Sequence, residues 1–185
     1  MDWLKTLRDL PFTTLIWLLP ISLTLHELEE WNIMPWYQAN FANPPQTPDH
    51  AAHTGLLFIS ALGFFVTLLA SGFRNTKITA GLTLTFFIAI VFGNAMQHVY
   101  WLIAFDTYAP GVISAILLVM PVVVFITWQS ISRNILPVAF VIPIYGFAVL
   151  SLFATVRAGD HVTEGFLKLH LFSEFLASSL GIGPQ

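Results

Sequence analysis

The chain of 185 residues carries 7 Lys and Arg against 10 Asp and Glu, with 56% apolar side chains and a mean hydropathy of +0.76. Soluble domains average roughly 25% charged residues, so a charged share of 9% excludes an ordinary globular domain, disorder and a coiled coil. It predicts an all-α polytopic membrane protein. The formal net charge of -3, with no cluster of Lys and Arg, excludes nucleic acid as a partner, and the lack of cysteine leaves only His and carboxylate to hold a metal.

A membrane span needs roughly 20 mostly apolar residues. Five segments of a single integral membrane domain over residues 1–185 approach or meet that length, at about 12–30, 54–73, 78–104, 111–129 and 135–156. The first ends in a charged run rather than in small residues before a cleavage site, so it is expected to be a retained helix, bent at Pro20, and not a signal peptide. Trp31 to Ala52, with Pro35, Pro44, Pro45 and Pro48, is expected to be an irregular loop that folds over a site as a lid. The tail at 165–182 is apolar but interrupted by Lys168, His170 and Glu174, and reads either as an interfacial helix or as a sixth, site-lining span.

Lys5, Arg8, Arg74, Lys77 and Arg133 all fall on one side of that arrangement, which places the amino terminus in the cytoplasm. His26, His50, His53, His98, His161 and His170, together with most of the acids, fall on the other. The positive-inside rule says nothing about histidine, so this co-location independently points to one site near the outer leaflet.

On a helix advancing 100° per residue, His26, Glu29 and Glu30 share an arc of roughly 100°, with Glu27 at its edge. Three carboxylates so close together at membrane depth need neutralising by protons, a basic partner or a divalent cation. The third span offers a second polar face in Asn94, Gln97, His98 and Trp101, and the second opens with His50 and His53 three residues apart. Neutral imidazole with carboxylate suits zinc or iron. One ion would take His26, Glu30 and His98, with Glu29 or Glu27 as general base; two ions would be bridged by Glu29 or Glu30, with His53 on the second. His50, Asn94, Gln97, Trp101 and Tyr108 are then candidates for substrate contact or for supporting the ligands.

The run His26-Glu27-Leu28-Glu29-Glu30, the later Asn94 to His98, and Tyr108-Ala109-Pro110-Gly111 opening the next span resemble the bacterial membrane proteins named for their H-x-x-E-E motif. The resemblance covers about Leu15 to Met120. It implies a compact polytopic protein, of the bacterial inner membrane, that binds metal or acts as an enzyme, and it carries no particular reaction.

No serine elbow or Gly-rich phosphate loop is present, so the substrate should be lipid-like or otherwise hydrophobic, met among membrane lipids. The reading is a metal-dependent enzyme with hydrolytic or di-metal oxidative chemistry. The alternatives are a carrier or sensor that binds a metal or protons without bond chemistry, a metal-free acid/base isomerase, and a structural subunit docking a partner. No oligomeric state follows from the sequence.

Overall fold

The computed structural model describes residues 8–183, so Lys5 lies outside the described residues. Their secondary structure is helical throughout, without strands. In chain order the helices are α1 (Phe12–Leu15), α2 (Leu18–Glu29), α3 (Met34–Asn40), α4 (Asp49–Ser71), α5 (Thr76–Phe105), α6 (Val112–Ser132), α7 (Val138–Ala158) and α8 (Glu164–Ser179).

Four of these, α4 to α7, are long and apolar enough to cross a membrane, one fewer than the five spans expected. The segment that differs is the first. Proline has no amide hydrogen, so Pro20 cannot donate to the Ile16 carbonyl, which instead accepts from Leu19 at 3.1 Å, one residue early. The helix breaks there into α1 and the 12-residue α2. The tail also resolves. At 16 residues, α8 packs against the amino-terminal half of α4 and the residues before it, with Phe172 5.4 Å from Phe58 and His170 Nδ1 3.1 Å from Thr47 Oγ1. It is not among the helices long and apolar enough to cross a membrane. Gly55 permits this approach, since a Cβ there would collide with Ser173 Oγ.

The apolar core runs through the bundle as Leu15, Leu19 and Leu23, meeting Phe87 and Ile88 of α5 and Val119 of α6. At the end away from the motif, Arg133 donates to the Gln129 side chain and to the carbonyls of Leu10 and Arg8, which ties the amino-terminal segment to the end of α6. At the other end, the segment expected to be an irregular loop carries the helix α3. Its Tyr37 packs with Phe41 and Trp101, beside Trp36 and Phe166, in a second cluster made largely of aromatic rings.

Two of the spans are not regular throughout. Phe87–Phe92 in α5 and Ala115–Val119 in α6 widen to π-helical turns. Such insertions are frequent at functional sites, and both adjoin the polar residues described next.

Candidate metal centre

His26 sits in the last turn of α2 and Glu30 is the residue that ends it, four positions on, so both side chains face the same way. α5 presents His98 to that face, one turn beyond Asn94. Glu30 Oε1 lies 2.9 Å from His26 Nε2 and 2.9 Å from His98 Nε2. The ligand atoms of these three side chains all fall within 4.8 Å of one another. His26 and His98 have no solvent exposure and Glu30 is 4% exposed. Asn94 Oδ1 adds a further oxygen 2.9 Å from His26 Nε2.

The contacts are close, yet they are not aligned as hydrogen bonds. Glu30 Oε1 and both nitrogens of His98 are buried without a hydrogen-bond partner. The hydrogen bonding of His26 explains what the cluster lacks. Its Nδ1 lies 2.9 Å from Ser114 Oγ, and that hydroxyl donates to the Gly111 carbonyl at 3.1 Å. Nδ1 of His26 is therefore a donor, while its Nε2 is hydrogen-bonded to Asn94 Oδ1. Once that nitrogen gives up its proton, it presents a lone pair beside the carboxylate and amide oxygens, which are acceptors too. An assembly of acceptors around one point is the donor set of a cation, and a buried carboxylate needs such compensation. Nδ1 held by a hydroxyl is also the arrangement that orients metal-binding imidazoles.

Gly111 makes the convergence sterically possible. It takes φ +94°, in the region that favours glycine, and a Cβ on it would lie 2.9 Å from Glu30 Cγ and from His98 Cε1.

The remaining candidates divide. Glu29 does not join the cluster: its carboxylate accepts from the backbone amides of Ile113 at 3.1 Å and Ser114 at 2.7 Å, and from the Tyr108 hydroxyl at 2.6 Å. It caps the positive end of α6 and fixes that helix to α2. Tyr108 is thus a partner of Glu29; partial burial, then the hydrogen bond and the negative charge of Glu29, push its phenol up to about 12. His53 does not join either: its ring stacks on Trp31 at 4.0 Å and its Nε2 lies 2.9 Å from the Trp31 carbonyl. His50 lines a separate shallow pocket beside Glu174.

Glu27 does face the site. It is 8% exposed and, with Glu30, Asn94, Gln97 and Trp101, lines a cavity of about 570 Å³. Trp101 stands edge-on to His98 at 4.9 Å. Two further residues of the site, Ser114 and Tyr37, carried no signal of their own in the sequence. Ser114 is one serine in an apolar span; Tyr37 comes from the lid, where burial and then the charges of Glu30 and Glu27 raise its phenol well above the ordinary value. His170, also in the cavity wall, is pushed down to about 4 by burial, with Glu174 and Glu30 opposing.

A family profile described as "Protein of unknown function with HXXEE motif" matches residues 17–126, more than half of the chain, and the chain belongs to that family. No curated protein and no solved structure matches it.

Proposed function

We propose that this member of the HXXEE family is a membrane-embedded, metal-dependent enzyme in which His26, Glu30 and His98 hold one zinc or iron ion and Glu27 serves as general acid/base toward a hydrophobic substrate in the adjoining cavity. The observation that carries the reading is the convergence of two buried imidazole nitrogens on one carboxylate oxygen, each at 2.9 Å, with Glu30 Oε1 and His98 Nε2 left without a hydrogen-bond partner. Three protein ligands leave a position for water or substrate, and a bound ion there would activate a water or polarise a carbonyl. One ion is favoured over two because Glu29 and His53 are engaged elsewhere.

Glu27 supports an enzyme over a simple carrier. A binding site needs its ligands alone, whereas a second buried carboxylate in the cavity wall beside them is placed to take or give a proton. Arg8, Arg74, Lys77 and Arg133 lie at the far end of the helices, so the positive-inside rule turns the site toward the extracytoplasmic side of a bacterial inner membrane.

Elemental analysis of protein purified in detergent without a His tag tests this. Near-stoichiometric zinc or iron should be present and should vanish in His98→Ala and Glu30→Gln. A protein that holds no metal even after reconstitution sinks the proposal and leaves Glu27 and Glu30 as an acid/base pair.

A further inference from the structure

The cavity beside the cluster extends well beyond the polar residues. It continues along α4 to Leu62, along α5 to Ile90 and along α7 to Phe147. His98 to Ile90 is eight residues, roughly 12 Å along a helix, so the lining descends from the site layer toward the middle of the bundle. α4 and α7, which form its two sides, make no substantial packing contact. α8 walls the end near the cluster with Phe166 and Leu169. Below it, Ile90 is 48% and Phe147 60% exposed, so apolar surface continues from inside the cavity to the exterior of the bundle.

The polar end has a definite chemical character. Two buried carboxylates, Glu27 and Glu30, stand in its wall, and no Lys or Arg is present among the described lining residues. A phosphate or carboxylate headgroup beside Glu27, away from the metal position, would face like charge with no Lys or Arg to pair it. Trp101, also in the wall, keeps an indole N–H buried without an acceptor. The volume of about 570 Å³ lies within the range of roughly 300–1,000 Å³ usual for a single small ligand.

We propose that this cavity takes an electrically neutral, single-chain amphiphile from the surrounding bilayer, with a hydroxyl or carbonyl group beside Glu27 and Trp101 and its chain passing out between α4 and α7 past Leu62, Ile90 and Phe147. This rests on the reading of the His–Glu–His cluster as the reactive centre, and it names the substrate class of that centre. The chain direction matches that of a lipid in the leaflet nearest the site, so such a molecule enters sideways without leaving the membrane or inverting.

The test uses the full chain in phosphatidylcholine nanodiscs with two photoreactive probes, a monoacylglycerol carrying a diazirine at its chain end and a phosphatidylglycerol carrying the same group. The monoacylglycerol should label peptides containing Leu62, Ile90 or Phe147. Labelling should fall several-fold in Ile59→Trp, which fills the cavity, and on adding unlabelled monoacylglycerol to the unaltered protein. Phosphatidylglycerol, which reaches the exposed faces of Ile90 and Phe147 from outside, should label them no less in Ile59→Trp or in the presence of unlabelled monoacylglycerol. Phosphatidylglycerol labelling that falls in the same way, or monoacylglycerol labelling that neither change reduces, overturns the proposal. Elemental analysis of the same samples separates the two readings: absence of metal together with saturable cavity labelling refutes the metal centre while retaining the lipid pocket.

Discussion

Gly111 packs against the His98 ring so closely that a Cβ in its place would stand 2.9 Å from both Nδ1 and Cε1 of the imidazole. Gly111→Ala therefore meets two penalties: a left-handed backbone at φ +94°, which costs a non-glycine residue about 1–3 kcal/mol, and displacement of a metal-ligand candidate. We expect a lower thermal midpoint in detergent and a loss of bound metal. Full metal content with an unchanged midpoint would show that the packing around His98 is loose.

Ser114 acts on the cluster through His26. Ser114→Ala removes the oxygen 2.9 Å from His26 Nδ1, freeing the ring to rotate and to change tautomer. Loss of such a partner costs about 10–100-fold in metal affinity. Competition with a chelator of known affinity measures this, and an affinity equal to that of the unaltered protein would remove Ser114 from the account.

Glu29 should behave differently from Glu30, although the two are neighbours. Glu29→Ala uncaps α6 by removing the acceptor of the Ile113 and Ser114 amides, a loss of about 1–2 kcal/mol by analogy with other helix caps. The thermal midpoint should fall while metal stoichiometry at saturation persists. Metal loss in Glu29→Ala as complete as in Glu30→Gln would restore Glu29 as a ligand.

His170 makes stability sensitive to acid. Burial beside Tyr37 and Phe166 holds it down to about 4 in the folded protein, with Glu174 and Glu30 opposing, against 6.5 in the unfolded chain. Between those values the unfolded state binds the extra proton, so stability falls as pH drops from 6.5 toward about 4 and levels off below. Above 6.5 the group contributes nothing to the pH dependence. The thermal midpoint of His170→Leu should decline less over this window than that of the unaltered protein, and parallel curves would refute the assignment.

The parts of the site legible in the sequence are those set by helical spacing. His26 and Glu30, four apart, and Asn94 and His98, four apart, each had to share a face, and they do. Glu29 had the right type and nearly the right direction, but its partner is the start of α6, a neighbour that no local pattern discloses. Residues 29 and 30 point about 100° apart on a helix, enough to send one to α6 and the other to the His98 face of α5. His53 fell to the same cause, since a lid residue, Trp31, claims both its ring face and its Nε2. A bend at Pro20 was legible from its missing amide, but hydropathy, which registers apolar length, did not show that the segment divides there into two helices too short to span. Tyr37 was beyond reach because the fold of the lid depends on rings contributed by three separate segments.

The π-helical turns have a consequence for how this site can be lost. Phe87–Phe92 ends directly before Gly93 and Asn94, so the surplus residue it holds sets the rotational phase of everything from Asn94 to His98. Excising one residue there would return the span to ordinary helical pitch and turn the following stretch by about 100°, swinging His98 away from Glu30 and toward lipid. Hydropathy and span length would scarcely register the change. The His, Asn and Glu letters of the motif would all survive, and the centre would be gone: what the bundle must preserve is phase as well as composition.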